Sequence, residues 1–553
     1  MFGILWTDDL KLYYNNLRYY LNLYKEGWYK QMETAQKTAK TVLMVLIINV
    51  LSRALALIAG SMITAYYGAT AETSAYAFAI KVTEIVTTII GTALTTAVIP
   101  MFIDFMENKD MNRSYRFINN TISLTVITGL IIIAAGLIVS PLLAGFSNED
   151  NYEFTVYAVR VMMPAIIFIS LFYIFSGVLQ ARGNFFMPAM VSLPSSLINI
   201  TYLLLLSRYF GTKGLVVSSL TGFAMQALIL VPSLRKVGFR YTWTFDLKDP
   251  DIMRIFKLTG PVFIGVFAYQ INVLINILIA MSYNSEKYIV LSNMQNLGIQ
   301  IVFTLTYAIT SVMYPRLSTY AANKNMDEFK QSLSTVLKTG ILLFLPITVG
   351  FILLSFPIVD IIYGYGEFNS GDVLLGAGIY SLYAIGVIGV SYKEIIDRAF
   401  YALKNTKIPA YNGVLIMVVN ITLSFILVRF MGLKGIALAY SIAMLTGGAV
   451  LIYLIRREIG KFQLSDIFVV ALKSAAACVI MGIAVNGAGR LLQHFDIFSG
   501  KTGRLIEMLV QVFIGVLVYG FCLLLFRVKE FTNTMKSITI PGFKMRDGSE
   551  KSK

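Results

Sequence analysis

About fourteen stretches of this chain are apolar for roughly 20 residues or more, the length a helix needs to cross a bilayer core about 30 Å thick. They run near 41–66, 73–104, 117–145, 154–181, 186–209, 212–236, 254–283, 287–315, 330–363, 371–403, 408–430, 433–457, 466–491 and 502–527. Hydrocarbon holds no water to satisfy an exposed N–H or C=O, so a spanning segment is either a helix or a strand of a closed barrel. Long runs rich in Leu, Ile, Ala and Gly lack the short alternation of a membrane barrel, which leaves helices. Only 14% of the 553 residues are charged, well below the roughly 25% of soluble domains. The expected fold is an all-α polytopic membrane protein of about fourteen helices.

The chain also repeats itself. Moved forward by 221 residues, Pro188, Ala189, Asn199, Ile200, Thr201, Arg208, Gly211, Lys213 and Gly214 fall on Pro409, Ala410, Asn420, Ile421, Thr422, Arg429, Gly432, Lys434 and Gly435. A second block agrees at a shift of 215, where Pro100, Asn108, Lys109 and Met111 fall on Pro315, Asn323, Lys324 and Met326. Turn-formers and polar residues are among the matches, so apolar composition alone does not produce them. Duplication in an apolar chain is the pattern of secondary transporters, whose substrate site lies between related halves. Helices one to six form one expected lobe (37–245), helices seven to twelve the other (246–460), and two further helices (461–528) fall outside the repeat. Because six is even, both lobes start on the same side and are related by an axis along the membrane normal.

The net charge of +16 is distributed by side. Odd-numbered connections are nearly bare: the first carries only Glu72, the third reads Ser147-Asn148-Glu149-Asp150 and the ninth Tyr365-Gly366-Glu367-Phe368. Even-numbered ones are basic, with Lys109, Arg113 and Arg116, then Arg235, Lys236, Arg240 and Lys248, then Arg316 and Lys324, then Lys404 and Lys407, then Arg456 and Arg457. By the positive-inside rule these connections and both termini are cytoplasmic. The charge therefore reads as topology plus attraction to anionic lipids, with no nucleic-acid patch.

In residues 1–36, Asp8, Asp9, Lys11, Arg18 and Lys25 interrupt any signal-peptide core. Leu10, Tyr14, Leu17, Leu21, Tyr24 and Trp28 recur there at helical spacing. The segment reads as an amphipathic helix on the inner leaflet that orients the first span or docks a partner. Residues 529–553 read as a basic cytoplasmic tail. Cys478 and Cys522 fall within helices thirteen and fourteen as apolar thiols, and His494 is the only histidine. No metal centre and no cofactor is expected from such a set.

A few charges cannot be placed at helix ends. Arg53 lies near the middle of helix one, Lys81 and Glu84 inside helix two, and Lys393, Glu394 and Asp397 inside helix ten. A centred charge costs about 2.5–3.5 kcal/mol even on insertion scales, so a group of them implies a hydrated cavity. One account is pairing along a helix face, Lys81 with Glu84, Lys393 with Asp397 and Glu394 with Arg398. Arg53 has no acidic neighbour within a turn, so its partner comes from another helix or from the substrate.

Guanidinium and ammonium groups on a wet cavity suit a phosphate or diphosphate, the first as a planar fork and the second as a point charge. Arg53, Lys81 and Lys393 are the candidate substrate-binding residues; Glu84, Glu394 and Asp397 are candidate ion-binding or pairing carboxylates. Arg160, Lys338 and Lys473 are secondary candidates, since their stems reach an interface. Gly260 and Pro261, near the start of helix seven, form a candidate hinge because proline removes a backbone hydrogen bond.

The stretch Arg398-Ala399-Phe400-Tyr401-Ala402-Leu403-Lys404-Asn405-Thr406-Lys407-Ile408-Pro409 resembles the signature joining helices ten and eleven in the MurJ/MviN lipid II flippases. That family belongs to the multidrug/oligosaccharidyl-lipid/polysaccharide exporter superfamily. Asn420, the Gly432-Leu433-Lys434-Gly435 turn, Ser52-Arg53 and Lys81 continue the likeness, which spans residues 41–460; the two extra helices also match the family. The resemblance implies a flippase of the bacterial plasma membrane. It would move a polyprenyl-diphosphate-linked glycan, first of all the peptidoglycan precursor lipid II, from inner to outer leaflet by alternating access. It further implies that Arg53 and Lys81 contact the diphosphate, that Lys393 holds the place of a lysine common before the signature, and that helices thirteen and fourteen form a groove for the lipid tail.

Some charges usual in the family are replaced here. Ala59 and Gly60 stand in place of a second arginine in helix one, Thr73-Ser74 in place of a threonine and acidic residue, Thr87 and Thr88 in place of arginines, and Asn293-Met294 in place of an acidic-arginine pair. The resemblance thus implies a cavity with much of the family's charge missing.

Other readings stay open at this point: a flippase for another lipid-linked oligosaccharide, a transport-deficient scaffold gathering cell-wall synthesis enzymes through residues 1–36, or a drug or cation antiporter. An antiporter would place carboxylates in its cavity, whereas Arg53 is basic. A membrane glycosyltransferase would need a cytoplasmic domain, and no connection is long enough to hold one.

Overall fold

A computed structural model of the chain describes residues 44–532 apart from 46, 109, 148, 191 and 495–499. The expected amphipathic segment 1–36 and most of the basic tail lie outside the described residues. Among the described residues, fourteen helices are long and apolar enough to cross a membrane, and there is no strand. They are α1 (Ile47–Tyr67), α2 (Ala71–Thr92), α3 (Met111–Ala144), α4 (Tyr152–Ala181), α5 (Phe186–Leu205), α6 (Ser207–Lys236), α7 (Val266–Tyr283), α8 (Tyr288–Ala322), α9 (Met326–Leu353), α10 (Ser370–Ala402), α11 (Lys407–Met431), α12 (Leu433–Ile459), α13 (Leu464–His494) and α14 (Gly500–Leu525).

Local chemistry accounts for the interruptions. α2 leads through a π-helical stretch, Leu94–Val98, into Ile99–Glu107; the distortion precedes Pro100, which has no N–H for the carbonyl one turn back. α4 divides around Pro164 into Tyr152–Met162 and Ala165–Ala181. α10 divides at Gly386, and α9 gives way to a short helix, Ser355–Tyr363. The candidate hinge at Gly260 and Pro261 is helical in this conformation, inside one helix from Pro250 to Tyr283 that contains α7.

The duplication reappears as repeated local geometry. Asn108 and Asn323 close their helices with nearly equal backbone angles (φ −75°, ψ 6° and φ −81°, ψ 2°). Two residues on, Asp110 and Asn325 cap α3 and α9, their side chains accepting the N–H of Arg113 and of Glu328. At the other shift, Gly211 (φ 57°, ψ −150°) and Gly432 (φ 60°, ψ −143°) share a conformation open almost only to glycine.

Equivalent helices also pack alike: α5 on α6 and α11 on α12, α2 on α4 and α8 on α10. The two groups meet where α2 touches α7 and α8, while α13 and α14 pack on each other and on α9. Lipid gives no hydrophobic force between helices, so small residues that admit close backbones matter most. A Cβ on Gly389 of α10 would lie 2.5 Å from the backbone nitrogen of Leu445 in α12. Phe78, Met162, Met294 and Tyr380 lie in the central core that these contacts enclose.

Candidate functional site

A cavity of about 700 Å³ lies between the two groups, walled by α1, α2, α5, α6 and α8. One end is sealed by polar contacts from the first group to the second. Ser61 donates to the Ile362 carbonyl, and the Glu367 N–H donates to the Ala65 carbonyl at 2.9 Å. Ser74 donates to the Glu286 carbonyl at 2.6 Å and accepts the Ile289 N–H at 2.9 Å. Lys287 reaches both the Ala69 carbonyl at 3.0 Å and the Asp372 carboxylate at 2.8 Å. Away from this seal exposure rises: Ile63 and Tyr76 are buried, whereas Arg53, Glu84 and Thr304 are exposed. The cavity is therefore reached from the end opposite the seal.

Both central cations cross this cavity. Arg53 on α1 donates from Nη1 to Thr304 Oγ1 on α8 at 2.8 Å. Lys81 on α2 lies 2.8 Å from Glu84, the pairing expected from their spacing, and 3.3 Å from Asn296 Oδ1 on α8. Two cations and one carboxylate among the lining side chains leave one net positive charge. Lys81 is only 18% exposed, so its attraction for an incoming anion is screened less than at an open surface.

The replaced charges fall in informative places. Ala59, Gly60 and Asn293 line the cavity, Met294 is buried in the core, Thr87 bonds back to the Thr83 carbonyl of its own helix, and Ser74 belongs to the seal. The wall is thus neutral where the resemblance leads one to expect further charge.

Lys393 is not among the lining residues. Its ammonium lies 2.7 Å from Asp397 and 3.1 Å from Glu394. Lys393 and Asp397 meet as their spacing suggests, but Glu394 turns to Lys393 and not to Arg398, whose guanidinium lies 6.0 Å from the centre of the Tyr314 ring. A half-buried ammonium gathers both nearby carboxylates, because either left alone in that setting would be an uncompensated charge. Arg160 donates to Ser140, Lys338 pairs with Glu530 at 3.0 Å, and Lys473 donates to the Phe526 carbonyl at 2.8 Å. These three secondary candidates hold helices or chain ends and do not line the cavity.

Sequence reasoning missed the neutral polar wall, comprising Tyr76, Ser196, Asn199, Ser219, Asn293, Asn296 and Thr304. Part of it was detectable, since Ser192, Ser195, Ser196 and Asn199 recur at helical spacing along α5 and mark one polar face in an apolar span. Asn296 and Thr304 belong to a similar row on α8, where Asn293, Asn296, Gln300 and Thr304 follow one another at spacings of three and four.

The sequence profile described as Lipid II flippase MurJ matches residues 63–503. The chain belongs to the lipid II flippase MurJ family. A protein of Buchnera aphidicola subsp. Schizaphis graminum named "Probable lipid II flippase MurJ" is 25% identical over 499 residues, 88% of this chain and 95% of its own length. One of Thermotoga maritima with the same name is 27% identical over 373 residues, 67% of this chain and 72% of its own. The solved structure "Lipid II flippase MurJ, inward closed conformation" shares the fold with a TM-score of 0.73 at 23% identity, covering 88% of this chain and 99% of that one. Lys81 and Glu84 fall within the range matched by the MurJ profile, and Arg53 precedes it.

Proposed function

We propose that the chain moves lipid II from the inner to the outer leaflet of the bacterial plasma membrane by alternating access. One observation carries this reading: a cavity between repeated helix groups, in a MurJ family member, is crossed by Arg53 and Lys81. Basic even-numbered connections support a cytoplasmic position for the open end and both termini, with the sealed end outside. They also favour contact with anionic lipids, about 1 kcal/mol per Lys or Arg near the surface. The headgroup then enters from the cytoplasm, and its diphosphate takes Arg53 from Thr304 and Lys81 from Asn296. Exchanging these bonds for charged ones loosens the ties between α1–α2 and α8, and the groups can reorient only by as much as the substrate favours one state.

Rescue of a strain depleted of its own lipid II flippase tests this. The native chain restores growth. Arg53→Ala and Lys81→Ala each lower transport about tenfold or more, the worth of one charge-assisted hydrogen bond, while reaching the membrane at native level. Full rescue by both variants would remove the diphosphate role, and failure of the native chain would remove lipid II as the cargo.

A further inference from the structure

Asn293 is the feature of the cavity that a diphosphate does not use. It is 9% exposed, it lines the cavity, and its Nδ2 makes no hydrogen bond. A buried amide donor without a partner is costly, and at a residue of the cavity wall a turn of the amide would offer it to an acceptor from outside the fold. Asn199 on α5 lines the same cavity and is held by two hydroxyls, its Oδ1 accepting from Ser218 at 2.9 Å and Ser219 at 3.2 Å. Ser219 also bonds Tyr76 Oη at 2.8 Å. This network fixes the Asn199 amide and leaves its nitrogen unused by these bonds.

Depth separates this group from the cations. At about 1.5 Å per residue, Asn293 and Tyr76 lie about 8 Å along α8 and α2 from the sealed ends of those helices, Lys81 about 15 Å and Arg53 about 20 Å. Positive charge thus lies nearer the opening, whereas no charged side chain among the lining residues lies as near the seal as Asn293 and Tyr76. We propose that Asn293, with Asn199 beside the Ser219–Tyr76 network, forms a subsite for the uncharged saccharide of the headgroup. The amide donors meet sugar hydroxyl or acetamido carbonyl oxygens. The inference rests on the flippase reading: a diphosphate held by Arg53 and Lys81, with its lipid tail toward the bilayer, carries its glycan deeper into the cavity.

The test compares binding of three probes to the protein in nanodiscs: lipid II, the same lipid-linked disaccharide without its stem peptide, which is expected to behave as lipid II does, and undecaprenyl diphosphate, which lacks both glycan and peptide. Asn293→Leu is nearly isosteric and removes an orphan donor, so its thermal midpoint is expected at or above that of the native protein. Its affinity for lipid II and for the peptide-free lipid is expected to fall about tenfold, with affinity for undecaprenyl diphosphate unchanged, whereas Arg53→Ala weakens all three. Asn293→Ser, which is smaller and keeps a shorter donor, is read with the same probes should the leucine variant fold poorly. Equal loss for all three probes, loss for none, or loss for lipid II alone overturns the subsite, as does a native protein that binds all three equally tightly. A native protein that binds none overturns the flippase reading instead.

Discussion

Replacing Lys287 by Met is expected to drive the protein out of the conformation sealed at the face that carries α2 and α8 starts. Lys287 joins the first helix group, through the Ala69 carbonyl, to the second, through Asp372. Asp372 is 4% exposed and Lys287 27%. Taking one partner from a buried ion pair costs about 3–5 kcal/mol. Water reaching the lysine screens part of this, and roughly 2 kcal/mol remains. If the contact exists only in the sealed state, that loss moves the equilibrium toward the opposite state by about thirtyfold.

Spin labels on Lys213 and Ser370, exposed residues of different groups on the sealed face, report the change by double electron–electron resonance. The background carries Cys478→Ala and Cys522→Ala, since both thiols are free and buried. The native protein gives one short distance, and Lys287→Met adds a longer population. The double variant Lys287→Met with Asp372→Leu leaves no orphan carboxylate and separates loss of the latch from the penalty of an unpaired charge. Distance distributions identical to native in both variants would refute the latch.

Two further outcomes concern stability in detergent. A Cβ at Gly211 would meet nothing within 4 Å, so Gly211→Ala isolates backbone strain of about 1–3 kcal/mol; Gly432→Ala adds a contact with the Tyr283 ring at 3.0 Å and should melt lower still. A native melting point for Gly211→Ala would discount the strain. Gly389→Val presses a side chain on the backbone of α12, which cannot swing aside, and is expected to lose about 1–3 kcal/mol or more; thermal unfolding at native midpoint would show that α10 and α12 separate easily.

The helix positions were legible because each span is its own signal. The expected segment 73–104 is seen as α2 with its continuation to Glu107, and 408–430 as Lys407–Met431. The repeat was equally legible, since Asn108 with Asn323 and Gly211 with Gly432 are turn and cap residues whose type is dictated locally. The site was only half legible. Arg53 and Lys81 stood out because a charge in an apolar run has no local excuse, but the same rule also selected Lys393, which the structure pairs with Glu394 and Asp397 away from the cavity. Asn293 stands in a row of neutral polar residues on α8 and carries no charge to mark it as part of a site.

By itself, then, the sequence determined a membrane chain of about fourteen spanning helices built from a repeat, and fourteen are found among the described residues, because a backbone in hydrocarbon must satisfy its own hydrogen bonds within each segment. The tertiary structure decided which polar groups share a wall. Arg53 meets Thr304 across 251 residues and Lys81 meets Asn296 across 215. Such encounters depend on how helices rotate and cross, which side-chain packing between them sets and no single segment encodes.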